Sequence, residues 1–594
     1  MDTWPNLISM FFAQAEKHSD KPFLWAKEEG EYVSQSWRDV AETVMALAKG
    51  LKQLGIEDGD RVVLCSENRP EWPIAHLAIM AAGGITVPAY TTNTVNDHLY
   101  IFSNSGAKAA IVSTKKLGER LVPAAHQTDG VSFVVSMENV DVSQSPGPDL
   151  KNWGDVVKAG ESIDGDMSEA IHKFTGEDTA VIIYTSGTGG APKGVMLPHK
   201  AILHNCRGAE HLLKEDFGLD EEIFLSFLPL SHSYEYTAGQ FFPISIGAQI
   251  YYAEGIEHLA TNMAEARPTI MTAVPRLYET MHGRIMRGVE KAGGMKAKLF
   301  ATAVRLGQKE LANPGSLSMG EKVSNAVVEK LVRNKVRANF GGRLKALVSG
   351  GAPLNPDIGN FFSALGLTLL QGYGQTESAP VISCNRPGSI KLDTVGPPLL
   401  DTEVKIAGDG EILVRGDLLM QGYWRNDEAT NEALKDGWLH TGDVGHLDEQ
   451  GRILITDRKK DIIVNSGGDN VSPQRVEGFL TMEPEIAQSM VHGDKRPHLV
   501  GLLVPDEDFA KDWAKANGVD YSLESLIKNE DFVKAIDQAV ERVNQNLGVI
   551  ERVRRFILTA DAFTVDNEQM TPTLKVRRHI VTEIYGERLE GLYR

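Results

Sequence analysis

Apolar residues run without interruption in RVVLC at 61–65, cover nearly all sides of EWPIAHLAIMAAGG, and run again in ITVPAY, with Gly, Asn and Pro between the runs. A short apolar run between turn residues is a buried strand, and a longer one opening on Glu and Pro is a buried helix, so the segment predicts a strand–helix–strand unit. The rhythm continues in AAIVST at 109–114 and VSFVVS at 131–136. Alternating strands and helices predict sheets covered by helices. From Val404 onward the pattern changes to short strands, VKIAG, GEILVRG and GRILITD, separated by Gly and Asp turns. The charged run DRKKD at 457–461 then divides ILIT from DIIV, and the remainder holds a strand at 498–505 and an amphipathic helix at 529–548. The expected fold is α/β, with an N-terminal domain over 1–457 that includes a β-rich subdomain at 404–457, and an α+β C-terminal domain over 458–594.

A chain of 594 residues exceeds one ordinary core, which agrees with more than one domain. The net charge of −19 excludes general nucleic-acid binding, because that needs basic surface to neutralise phosphates. Any polyanionic ligand must therefore meet local positive charge. The three cysteines, Cys65, Cys206 and Cys384, have no metal-ligand spacing and read as reduced and structural. The first residues lack a basic leader with an apolar run, and no stretch approaches the ~18 apolar residues of a membrane span, so a cytoplasmic protein is expected. One region departs from the acidic average. Residues 276–345 carry fifteen Lys/Arg and five Glu, a net +10, with Ile285, Met286, Val289, Leu299, Phe300 and Val304 interleaved. This predicts amphipathic helices with a basic face, suited to an anionic membrane surface or to ordinary solvation.

Chemistry concentrates in VIIYTSGTGGAPKGV at 181–195, where an apolar strand runs into a loop holding Thr185, Ser186, Gly187, Thr188, Gly189, Gly190, Lys193 and Gly194. Glycines let backbone wrap an anion, hydroxyls and N–H groups donate to it, and one lysine supplies charge, so the loop suits a polyphosphate. It is not a Walker A loop, since Pro192 precedes Lys193 and Gly194 follows it, and it fails the dinucleotide fingerprint at Pro192. The competing interpretation is a mobile Gly/Ser surface loop.

Six further segments follow in order: FLPLSHSYE at 227–235, VSGGAPL at 348–354, LQGYGQTES at 370–378, DGWLHTGDVG at 436–445, DRKKDIIVNSGGDNVSP at 457–473 and TPTLK at 571–575. Together with 181–195 they resemble the adenylate-forming superfamily of acyl-CoA synthetases, peptide-synthetase adenylation domains and luciferases over nearly the whole chain. The resemblance implies ATP, Mg²⁺ and CoA as reactants and metal. It assigns the phosphate loop to residues 185–193 and Tyr373 to stacking on adenine, and Gly350 and Gly351 let backbone approach a planar base or a carboxylate closely, in the nucleotide-binding part of the site. Thr376 falls on the α-phosphate, Glu377 on Mg²⁺, and Asp443 and Arg458 on the ribose. It further implies His232 at the mouth of the acyl pocket, Lys575 as the catalytic lysine, Lys460 as the hinge of a mobile C-terminal domain, and Gly467 in the tunnel for the pantetheine arm of CoA. Taken alone, a Glu after glycines is a solvated charge, an Asp after Gly a turn former, and a single His structural.

The segment ARPTIMTAVPRLYETM at 266–281 and the insertion from His282 to Gly342 resemble bacterial long-chain acyl-CoA synthetases. TPTLK likewise departs from the Gly-Lys of other branches. The expected activity is AMP-forming ligation of a long-chain fatty acid to CoA, with the basic helices delivering the acid from the membrane to the pocket. Open alternatives are a medium-chain or other acid, transfer to a carrier protein in trans, a non-catalytic acyl-adenylate binder, and a luciferase-like oxidation.

Overall fold

The computed structural model describes residues 3–138, 147–165, 167, 171–185, 191–459, 461–467, 469–565, 567–571 and 575–594. Four of the expected site residues in the phosphate loop, Ser186, Gly187, Thr188 and Gly189, and the expected hinge Lys460 lie outside them.

Among the described residues two eight-stranded sheets form the body of the N-terminal part. The first is centred on parallel Ile85–Ala89, Arg61–Cys65, Ala109–Val112 and Phe133–Ser136, joined at one side by the antiparallel pair Thr179–Thr185 and Lys193–Pro198. These are the apolar runs of the sequence, and both faces are buried, as parallel strands flanked by helices require. The second sheet runs through Gln249–Tyr252, Ile223–Ser226, Ile270–Ala273, Ala346–Ser349 and Leu369–Gly374 in parallel, and ends on antiparallel Val381–Cys384. Helix Glu71–Ala81 is buried on all sides between the sheets. On it, His76 Nδ1 meets Thr86 Oγ1 and Nε2 meets Tyr236 OH, each at 2.7 Å, so one neutral imidazole ties the first sheet to the segment over the second. Burial pushes its pKa down to about 3.

The β-rich unit is a five-stranded antiparallel sheet of Glu403–Ile406, Glu411–Arg415, Trp438–Leu447, Leu434–Lys435 and Ile453–Arg458. Arg458 is paired opposite Asp443 in this sheet, and Lys459 is still bound to it through Gly442 O, Asp409 and Glu411. After it, the three strands Ile486–His492, Leu499–Pro505 and Val553–Leu558, with helices Pro473–Leu480, Glu530–Gln545 and Arg578–Gly591, build separate α+β cores.

One expectation needs correction. Lys193 and Gly194 do not lie in the loop after the apolar strand; they open the return strand of a hairpin, with Lys193 opposite Thr185. Residues 275–339 do form helices, chiefly Pro275–Ala292, Gly294–Ala312 and Met319–Val328, yet much of their apolar content is packed inward. Ile285, Met286, Phe300 and Val304 join the core built on Met271, Ala273, Leu347 and Leu369 of the second sheet. Several of the basic residues serve this packing as well: buried Arg333 donates to Ala364 O and Ala303 O, each at 2.7 Å, and Lys309 pairs with Glu321.

Candidate active site

Parallel strands present their carboxyl ends at one edge of a sheet, and the loops leaving those ends gather ligand-binding groups there. Ser349 ends its strand paired with Gln371 of the next, so Gly350 and Gly351 leave the first while the second runs on through Gly374 to Thr376 and Glu377. A Cβ at Gly350 would lie 2.9 Å from the Tyr234 ring, and Gly351 has φ +80°, so both positions require glycine. With Thr185 and Lys193 from the hairpin, and Arg458 and Lys575 from further along the chain, they line one cavity of about 550 Å³.

At one side of this cavity Thr376 and Glu377 lie on a short 3₁₀ turn. The Thr376 hydroxyl is 2.9 Å from Ser233 Oγ, and Glu377 accepts from Tyr423 OH at 2.8 Å. Lys193 Nζ stands over the same Tyr423 ring, 4.7 Å from its centre, so one tyrosine touches both the Lys193 cation through its face and the Glu377 carboxylate through its hydroxyl. Among the described residues no group of three or more His, Cys, Asp or Glu is arranged to hold a metal by itself. A single carboxylate fits Mg²⁺ held jointly with nucleotide phosphates, which is how that ion is usually bound.

Asp443, 3% exposed, accepts from Tyr373 OH at 2.6 Å and from Arg458 Nε at 2.9 Å. Tyr373 thus has its hydroxyl committed to Asp443 while its ring lines the cavity. His232 is half-buried, and the backbone N–H of Tyr234 donates to its Nδ1 at 3.2 Å, leaving the imidazole proton on Nε2. Burial and the neighbouring charge of Lys575 hold its pKa down to about 4, so the ring is a neutral donor at physiological pH.

Lys575 reaches this cavity from the C-terminal domain. Its backbone N–H donates to Thr571 Oγ1 at 3.0 Å and its carbonyl accepts from Thr571 N at 2.8 Å, a pinch that presents the side chain. Burial and Arg458 lower its pKa to about 8, against the opposing pull of Asp443, Asp461 and Glu377. Gly467 behaves differently. It sits exposed in the turn between Ile463–Val464 and Asn470–Val471, and it does not line the cavity.

Two residues with clear roles were not singled out from the sequence. Tyr423 carried only the signal of an aromatic after Gly422. Glu235, inside FLPLSHSYE, is fully buried and accepts from Ser226 Oγ and Thr272 Oγ1, each at 2.6 Å. It joins two strands of the second sheet to the segment bearing His232, and burial pushes its pKa up to about 7.

Residues 11–424 match the AMP-binding enzyme family, and residues 460–594 match the AMP-binding enzyme C-terminal domain. A Mycobacterium tuberculosis protein named long-chain-fatty-acid–CoA ligase FadD15 is 32% identical over 600 residues, covering 99% of this chain and 97% of its own length. The Mus musculus long-chain-fatty-acid–CoA ligase 6 is 31% identical over 592 residues, covering 96% of this chain and 83% of its own. Among solved structures, the A domain of a carboxylic acid reductase from Segniliparus rugosus, in complex with AMP and a co-purified carboxylic acid, has the same fold. It superposes with TM-score 0.79 at 21% identity, over 100% of this chain and 95% of its own. The cavity at the strand ends, the ordered motifs around it and the match across most of the sequence lead to one conclusion: the chain belongs to the AMP-binding enzyme family.

Proposed function

We propose that the protein is an AMP-forming long-chain fatty acid:CoA ligase. The observation that carries this is that Lys575 lines the same cavity as Thr376, Glu377 and Arg458, where the cavity continues into an apolar arm. The substrate carboxylate attacks the α-phosphorus of ATP in line and pyrophosphate leaves, giving an acyl-adenylate. The thiol of CoA then attacks the acyl carbonyl, and AMP leaves. The protein contributes position and charge. Lys193 and residues 185–189 hold the phosphates, Asp443 and Arg458 the ribose, and Gly350, Gly351 and Tyr373 the base. Thr376 donates to the α-phosphate, and the Nε2–H of His232 donates to the acyl carboxylate. Glu377 holds Mg²⁺, which supplies charge neutralisation at the phosphates. Lys575 stabilises the charge that accumulates on the α-phosphate and carboxylate in the transition state.

What supports turnover of the C-terminal domain about Lys460 is that Lys459, directly before it, is still bound to the five-stranded sheet. Rotation there withdraws Lys575 and brings the turn around Gly467 to the site for the second step. Peripheral contact with an anionic membrane belongs to the same proposal. No helix of the described residues is long and apolar enough to cross a membrane. Met319, Val323, Val327 and Leu331 are exposed at four-residue spacing on the outer helix, beside Lys322, Lys330 and Lys335, which make no ion pair among the described residues. Delivery of acid from that surface straight into the cavity is disfavoured, because these helices cover the sheet face opposite the one the cavity uses.

Pyrophosphate release with CoA present, measured over acids from two to twenty carbons, peaks at long chains; a peak at acetate or benzoate overturns the long-chain assignment. Lys575→Ala loses acyl-AMP formation by ~10²–10³ in rate, the usual cost of one preorganised group, yet converts supplied acyl-AMP and CoA at near wild-type rate. Gly467→Leu has the opposite defect; a Cβ at this position comes nearest the side-chain oxygens of Asn465 and Asp469, at 3.1 and 3.3 Å. Equal loss of both half-reactions in both folded variants would exclude domain alternation. Because Lys575 acts as a cation with a pKa of about 8, kcat/KM for adenylation falls as pH rises through that value. Lys575→Arg keeps its charge there and lacks this alkaline limb. Vesicle co-sedimentation favours anionic over neutral lipid and weakens with salt, each lysine near the surface contributing ~1 kcal/mol; equal binding to both lipids removes the electrostatic contribution.

A further inference from the structure

The cavity extends away from the reacting groups along the strand Ala346–Ser349. Gly350 follows the carboxyl end of this strand, at the nucleotide. Ala346 and Val348 face the cavity while Leu347 faces the helical layer, as the alternation of a strand requires. Lys345 and Gly350 are five positions apart, so this floor is roughly 16 Å long at the rise of a strand. The opposite wall is the helix His199–Asp216, which contributes Ala209, Leu212 and Leu213. The lining of the arm is apolar apart from Thr272, whose hydroxyl is committed to Glu235. Burial raises the thiol of Cys384, another wall residue, to about 12.

The far end of this arm is built in an unusual way. Phe217 is the first residue beyond the helix, half-buried, with its side chain in the cavity lining. It is clamped by ion pairs on both sides. Before it, Asp216 is gripped by Arg386, Nε to Oδ2 at 2.5 Å and Nη2 to Oδ1 at 3.0 Å. After it, Lys345 Nζ binds Gly218 O at 3.1 Å, Asp220 at 3.0 Å and Glu222 at 2.5 Å. An aspartate as the last residue of a helix opposes the helix dipole, so the helix gains nothing locally from Asp216. Its compensation comes from Arg386, which lies two residues beyond Cys384 of the cavity wall. The second clamp, Lys345, directly precedes the strand that forms the floor.

We propose that Phe217, held between the Arg386–Asp216 and Lys345–Glu222 clamps, closes the distal end of the acyl channel and sets the longest chain the enzyme accepts. The proposal rests on the assignment of this arm to the acyl group. An acid that ends short of Phe217 fits with both clamps shut. A longer one must displace the ring, and displacement strains or breaks the ion pairs on either side of it. The ring acts as a stop, and the clamps set its stiffness.

The test measures kcat/KM for pyrophosphate release over even-numbered acids from eight to twenty-four carbons. Phe217→Ala moves the optimum to longer acids and Phe217→Trp moves it to shorter ones. An apolar pocket changes kcat/KM by ~10-fold or more for each methylene it gains or refuses, so the ratio of long to short acids moves at least that far. Arg386→Ala shifts the ratio in the same direction as Phe217→Ala, and the charge-swapped pair Asp216→Arg with Arg386→Asp returns it toward wild type. Chain-length profiles that superimpose on wild type in folded, active Phe217→Trp and Arg386→Ala enzymes overturn the proposal. A wild-type enzyme that activates no fatty acid overturns instead the acyl assignment on which it rests.

Discussion

Asp443 is the joint on which the site depends. Its carboxylate is almost wholly buried, and a buried charge must be compensated by hydrogen bonds or an opposite charge. One oxygen is satisfied by Tyr373, from a strand of the second large sheet, and the other by Arg458, from the last strand of the five-stranded sheet. A single side chain therefore sets the spacing between the sheet that ends in Thr376 and Glu377 and the segment that leads to the C-terminal domain. Breaking it would leave Arg458 and Tyr373 with unpaired groups beside the cavity. The same guanidinium helps depress the pKa of Lys575, so the joint also governs the charge of the residue the C-terminal domain brings.

The two faces of the second sheet are put to different uses, and strand alternation is the reason. Ile270, Thr272, Ala346, Val348 and Leu370 line the cavity, whereas Met271, Ala273, Leu347 and Leu369 bury the helices of residues 275–339. A shift of one residue in register would exchange the two surfaces. The acidic body of the protein and its cationic site coexist because Lys193, Arg458 and Lys575 converge from three distant parts of the chain. Contacts across the domain boundary include Arg276 to Ala487 O at 3.2 Å, at an exposed side chain, and Met482 packed against the core of the second sheet.

Much of the fold was legible in the sequence where one physical requirement dominates. RVVLC, AAIVST and HLVGLLVP are apolar on both sides, and strands buried on both faces demand that. Asn529 caps the helix Glu530–Gln545 through Asp531 N and Phe532 N, and the polar residue before an amphipathic repeat is readable without a structure. The motif residues Gly350, Gly351, Thr376, Glu377, Asp443 and Arg458 were legible in order through the family resemblance; taken alone Asp443 reads as a turn former, whereas the structure places it within a strand opposite Arg458.

What only the tertiary structure decided follows from groups that act through neighbours far away in sequence. Lys193 looks like a loop residue until Thr185 pairs with it across a hairpin. Glu235 is one more polar residue in FLPLSHSYE until Ser226 and Thr272 close on it, and Phe217 is an unremarked aromatic until Arg386 and Lys345 clamp the residues beside it. The basic run at 276–345 was visible as a composition, yet composition has no direction: which lysines face water and which arginines hold the core is set by the sheet they pack against. The sequence by itself determined the kinds of groups, their order and the elements that carry them, since those depend on local conformation and periodicity. Their distances, burial and protonation depend on long-range packing, and that was decided only when the sheets and the C-terminal domain came together.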